Sequence, residues 1–254
     1  MAGSDLGYIA QRADSLTSIL VHVIAYESKR MDASPLALVT EPRLHGETVQ
    51  QWVFRQLRRS VMSGRFPPGQ AVTIRGLAEA LGVSAMPVRE ALRRLVAERA
   101  LILLDNRRVR VPEMTARRFD ELFTARTLLE CEAAARALPL ADAAFRGRLD
   151  ALNRASDAAV EANDTEAMIE TNLAFHAALY GGRKDNVLLP LIESVWLQIG
   201  PFMRMALADL EHHYPVDRHA QALAALEAGD EAGLRRAIEA DIRDGIGHLR
   251  AQLG

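Results

Sequence analysis

The chain has 254 residues, 49% of them apolar and 25% charged, with a formal net charge of −2. That is the composition of a soluble globular protein long enough for two domains. No apolar run reaches the length of a membrane span, the N-terminus lacks a secretory pattern, and the single cysteine, Cys131, rules out an internal disulfide, so a reducing cytoplasm is the expected location.

The charge is unevenly spread. Residues 47–111 hold 12 Arg against 5 acidic residues, a net +7, whereas residues 112–254 hold 15 basic against 23 acidic residues, a net −8. A basic block beside an acidic one fits a nucleic-acid module joined to something else, although a solvated arginine-rich helical surface has the same balance.

In chain order, residues 1–46 stand apart. Leu6, Ile9, Ala13, Leu16, Ile19, Leu20, Val23 and Ile24 recur at helical spacing and predict one amphipathic helix, followed by a looser stretch with Pro35 and Pro42. This segment carries no chemistry of its own and reads as a packing arm or an extension. Val49, Val53, Leu57 and Val61 predict a helix ending near Gly64, and Phe66-Pro67-Pro68-Gly69 a turn. Thr73 can cap a short helix running to Leu81, and Gly82 breaks it. Ser84 can cap a third helix, with Pro87 tolerated in its first turn, running to about Arg99. Leu101–Leu104 and Val109–Val111 read as two short strands. Three helices and a hairpin over residues 47–111 make a winged helix-turn-helix. Beyond Pro112, helices are expected at about 115–138, 142–162, 165–180, 187–208, 215–228 and 230–251, with short connectors that imply antiparallel neighbours. The expected fold is therefore mainly α: a winged helix-turn-helix followed by an all-α antiparallel helical bundle over residues 112–254.

The run from Leu77 through Gly82-Val83-Ser84-Ala85-Met86-Pro87-Val88-Arg89 to Arg93-Arg94-Leu95 carries the functional case. Gly82 permits the sharp corner, and the second helix then presents its N-terminal residues to the major groove. Arginine suits guanine edges and phosphates, and Arg89 and Arg93 lie one turn apart on one face. Together with Ser63-Gly64-Arg65-Phe66-Pro67-Pro68-Gly69, this run resembles the GntR family of bacterial regulators. The resemblance implies DNA contacts at Arg75, Ser84 and Arg89, with a wing tip near Asn106 and Arg107. Arg93 reads either as a further contact or as a solvating arginine. Two departures stand out: Ala85 where the family usually has Arg, and Arg108 where the wing often has Gly. A single helix-turn-helix makes too few base contacts for useful specificity, so a homodimer on a pseudo-palindromic operator is expected.

The remainder resembles the FCD-type effector domain of the FadR subgroup. Phe123-Thr124-Ala125-Arg126-Thr127-Leu128-Leu129-Glu130, Asn172-Leu173-Ala174-Phe175-His176 and Asp217-Arg218-His219-Ala220 match its signatures in order. That domain has an Asp and three His in an interior pocket that usually binds a divalent metal. The matching positions here are Asn172, His176, His219 and Asp241, so Asn replaces the Asp and Asp replaces the last His. Two imidazoles, one carboxylate and one amide oxygen suit one zinc, manganese, iron or nickel ion per chain, with positions open to an effector. Arg126 is the candidate to hold a small organic acid, its alternative being a pair with Glu130 four residues on. Arg204 is a second, weaker effector candidate. The resemblance implies a DNA-binding transcription regulator that acts as a repressor under effector control. A metal-dependent enzyme using the same pocket is the competing reading, but no nucleophile motif, phosphate loop or cofactor fingerprint accompanies it.

Overall fold

A computed structural model describes residues 38, 40–104, 108–182, 185–208 and 216–253. The helix expected within residues 1–46 lies outside the described residues. Helix α1 (Val49–Met62) starts at a capping box in which Thr48 accepts from the Gln51 N–H and Gln51 returns the bond to the Thr48 N–H. Its inner face is Val53, Leu57 and Val61, spaced four apart and fully buried. After the Pro67-Pro68-Gly69 turn comes a strand that residue periodicity did not reveal, β1 (Ala71–Thr73). Thr73 then caps α2 (Ile74–Leu81) by accepting from the Gly76 N–H, and Gly82 closes it at φ +64°. The recognition helix α3 (Ala85–Ala97) follows, and then β2 (Ile102–Leu103) and β3 (Arg108–Arg110). β3 lies between the other two strands, antiparallel to both, with Val72 and Leu103 each opposite Val109. A three-residue strand is too short to show alternation, which is why β1 becomes legible only through its pairing.

The helical part comprises α4 (Ala116–Ala137), α5 (Ala143–Glu161), α6 (Thr165–Tyr180), α7 (Leu188–Ile199), α8 (Met203–Leu207), α9 (Arg218–Ala228) and α10 (Glu231–Ile246). Three expected boundaries differ. The helix expected over 187–208 is interrupted by a 3-10 turn at Gly200–Phe202, where Pro201 lacks an amide hydrogen. The α9 helix begins at Arg218 because Asp217 caps it, accepting from the Ala220 N–H. The last helix gives way to a 3-10 segment, Gly247–Gln252, after Ile246. No described helix is long and apolar enough to cross a membrane.

The interruption at Gly200 positions the front part against the bundle. A Cβ on Gly200 would lie 2.5 Å from Met62 Cα and 2.7 Å from the Met62 carbonyl oxygen, so the end of α1 rests on bare backbone. Around that contact, Arg204 donates to the Ser63 carbonyl at 2.9 Å and pairs with Glu166, and Arg65 reaches Glu166 at 2.9 Å. Arg58 meets Glu193 at 3.0 Å. Gly200→Ala is therefore expected to lower stability by about 1–3 kcal/mol, because backbone rather than a flexible side-chain end must give way. A denaturant midpoint equal to that of the wild type would show that the two parts are not packed this tightly.

Candidate metal centre and DNA-reading surface

Eight helices contribute residues to a cavity of about 590 Å³. His176 comes from α6, His219 from the first turn of α9 and Asp241 from the middle of α10; all three are buried, at 1%, 5% and 6% exposure. His176 Nε2 lies 3.1 Å from Asp241 Oδ2, and His219 Nε2 lies 3.3 Å from His176 Nε2 and 3.7 Å from Asp241 Oδ1. One ligand atom from each residue thus falls within 4.8 Å of the others, the spread a single ion can bridge. Asn172 lines the same cavity one turn before His176.

The surroundings settle which ring nitrogen faces inward. Asn153 donates its Nδ2 to Asp217 Oδ2 at 3.1 Å, which leaves its Oδ1 to face His219 Nδ1 at 3.2 Å. An amide oxygen only accepts, so His219 carries its proton on Nδ1. Tyr180 donates its hydroxyl to Glu130 Oε2 at 3.1 Å, so at 3.0 Å the phenol oxygen accepts from His176 Nδ1. Burial, and then the Glu130 charge, hold the Tyr180 phenol well above its ordinary value and keep that proton in place. Both Nε2 atoms therefore face each other and a carboxylate, with the outer nitrogens held as they are around bound metals.

Burial, reinforced by His176 and opposed by Asp241 and Asp217, pushes the His219 imidazole down from 6.5 to about 4. It stays neutral, as a ligand must. In chelated protein the unfolded chain protonates this ring below 6.5 while the folded chain does not until about 4. Stability should accordingly fall with pH across that window by on the order of 3 kcal/mol and level off below it. Denaturant midpoints at stepped pH check this. A His219→Gln protein with the same slope would assign the effect elsewhere.

Glu130 is fully buried and receives Arg126 Nε at 2.6 Å, Trp196 Nε1 at 2.9 Å and the Tyr180 hydroxyl. Arg126 lines the cavity, but its guanidinium is engaged with Glu130, the alternative partner expected from the i,i+4 spacing. Arg204 is a correction: it does not line the cavity, and instead ties the bundle to Ser63 and Glu166. Periodicity missed Asn153, Tyr180 and Asp217. A signal existed for the first, since Asn153 repeats the inward Phe145–Leu149 spacing of α5 with a polar side chain and is buried.

In the front part, Ser84 stands exposed at the N-cap of α3 with its hydroxyl making no cap hydrogen bond, contrary to the expected side-chain cap. Arg89 is exposed on the same helix. Arg75 and Arg93 are exposed too, paired with Glu79 and Glu90 at 2.8 Å. Arg94 instead stacks on the Phe54 ring, its guanidinium carbon 3.5 Å from the ring centroid. Asn106 and Arg107 lie outside the described residues.

A three-stranded wing beside a helix-turn-helix, joined to a helical bundle around a cavity, defines a DNA-binding transcription regulator. The comparisons agree. Residues 49–111 match the family "Bacterial regulatory proteins, gntR family" and residues 121–244 match the "FCD domain". The HTH-type transcriptional regulator McbR of Escherichia coli K12 is 32% identical over 203 residues, 79% of this chain and 92% of that protein. The solved E. coli McbR structure superposes with a TM-score of 0.75 at 31% identity, covering 81% of this chain and 99% of that one. The HTH-type transcriptional repressor GlaR of the same organism is 28% identical over 149 residues, 56% of this chain and 67% of its own. The chain belongs to the GntR family of transcriptional regulators, in the group that carries an FCD domain.

Proposed function

We propose that this regulator binds operator DNA as a homodimer and represses transcription, and that a small organic acid, held in the bundle cavity beside one divalent metal ion, controls its hold on DNA. Residues 47–111 serve as the DNA-binding domain and 112–254 as the sensing and dimerisation domain. Arg75, Ser84, Arg89, Arg93, Asn106 and Arg107 are assigned to DNA. The metal is assigned to His176, His219 and Asp241, with Asn172 as a weaker fourth ligand. One observation carries the metal reading: His176 Nε2, His219 Nε2 and the Asp241 carboxylate converge so that one ligand atom from each lies within 4.8 Å of the others, a buried set that a single cation can share. A bound metal supplies positive charge and open coordination positions for a carboxylate. Arg126 also lines the cavity, with its guanidinium held by Glu130.

Control of DNA binding is supported by Met62. This last residue of α1 belongs to the DNA-binding part and also lines the cavity, so an occupant and the helix-turn-helix share a wall. Fluorescence anisotropy of labelled operator, titrated with metal-loaded protein with and without pentanoate, tests the reading. A shift in operator affinity that chelation removes supports it; identical curves count against it. Homodimerisation has its own check. Sedimentation at micromolar concentration is expected to give a dimer, and a monomer both with and without DNA would contradict the assembly.

A further inference from the structure

We infer that the cavity takes a monoanion with a largely apolar body and excludes acids carrying a second charge, an inference that rests on the carboxylate reading just given. The argument begins with charge. Among the described residues lining the cavity, four carboxylates (Asp157, Glu161, Asp217 and Asp241) face one guanidinium, that of Arg126. That guanidinium is already spent, because Arg126 holds Glu130 through Nε at 2.6 Å and is 7% exposed. A divalent ion at the triad leaves the lining short of positive charge, and one ligand carboxylate uses the coordination the ion offers. A second carboxylate would meet no free cation.

Position sharpens this. Asn153 touches His219 at the metal end, and Asp157 and Glu161 follow it one and two turns along the same face of α5. On α6, Met168 lies two turns before His176. Eight residues of helix rise about 12 Å, so both walls run well beyond the triad. Along them the lining is Val160, Met168, Ile169 and Leu173, faced by Met203 and Leu207. Asp157, Val160 and Glu161 are exposed, which places an acidic edge where the cavity meets solvent, and burial raises the Asp157 carboxyl above its ordinary value, with Asp217 and Glu161 adding to the rise. A ligand with its carboxylate on the metal therefore lays its remainder on apolar side chains and directs its far end toward carboxylates. Met62, Met168 and Met203 supply unbranched, adaptable walls that accept several body shapes.

Pentanoate and glutarate form a matched pair, differing by one terminal carboxylate. Calorimetry on the metal-loaded dimer, with metal content measured afterwards, is expected to show pentanoate binding at least tenfold more tightly than glutarate. From butanoate to octanoate, affinity should rise roughly fourfold per methylene until the cavity is filled. The double variant Asp157→Lys, Glu161→Lys should narrow the pentanoate–glutarate gap; an unchanged gap counts against the inference. Glutarate binding as tightly as pentanoate, or affinity flat with chain length, overturns the inference while leaving the carboxylate reading intact. Failure of every acid, acetate included, to bind metal-loaded protein overturns both.

Discussion

The double variant His176→Ala, His219→Ala is expected to carry no divalent metal, where the wild type is expected to carry about one ion per chain. The two imidazoles supply both nitrogen donors, and Asp241 with the Asn172 amide would remain as an oxygen pair too poor to hold a borderline ion. The effect should be large because the site is pre-arranged: Asn153 and Tyr180 already fix both rings with Nε2 inward, so little ordering remains to be done on binding. An ion that binds only the folded chain adds about 4 kcal/mol of stability at a thousandfold excess over its Kd. For a chain of this size that corresponds to a rise in Tm on the order of 10 °C. The clean readout is the difference in Tm between metal-loaded and chelated samples of the same protein. That difference should vanish in the double variant even though the variant itself is destabilised, which separates lost binding from lost packing. Asn172→Asp should enlarge it, since a carboxylate replaces a weaker amide donor. Wild type that gains no metal and no Tm shift from zinc, manganese or nickel would remove the metal from the proposed function.

Arg89→Ala is expected to weaken operator binding by about 1–3 kcal/mol and to relax base preference at one position. Arg89 is exposed, pointing away from the buried Val88–Leu92–Leu95 face of α3, and among the described residues it has no acidic partner of the kind that Arg75 and Arg93 have. Its guanidinium is therefore free to form the fork that matches a guanine edge. Because Ala85 precedes it, the tip of this helix carries one arginine fewer than the family pattern, so more of the discrimination is expected to fall on Arg89. The loss should be markedly smaller on random duplex, where phosphate contacts dominate. Equal losses on operator and random DNA would reassign Arg89 to the backbone, and a folded variant with unchanged affinity for both would mean that another face of the domain reads DNA.

The sequence alone determined the local features of this protein. Thr48, Thr73, Asp142, Asp164 and Asp230 start helices because a short oxygen side chain satisfies amide hydrogens that lack partners within the helix, and that preference acts over three residues. The corner at Gly82 and the apolar stripe of α1 are local in the same sense. The DNA-reading motif is contiguous, so its resemblance to the GntR family was visible in one stretch. What depended on distant partners was not. β1 exists because Val109 lies opposite Val72, and the break at Gly200 has its second cause in Met62, well over a hundred residues earlier. Arg204 was expected at the cavity from its place on a nearby helix, yet Ser63 and Glu166 draw it to the contact between the two parts. The candidate ligands came from family resemblance, since no spacing in the chain relates His176, His219 and Asp241. Only tertiary packing could show that their acceptor atoms face one another, that Asn153 and Tyr180 fix the rings, and that Arg126 is already bound to Glu130. Hydrogen-bond direction is a property of assembled neighbours, and in a buried site those neighbours come from helices the sequence does not connect.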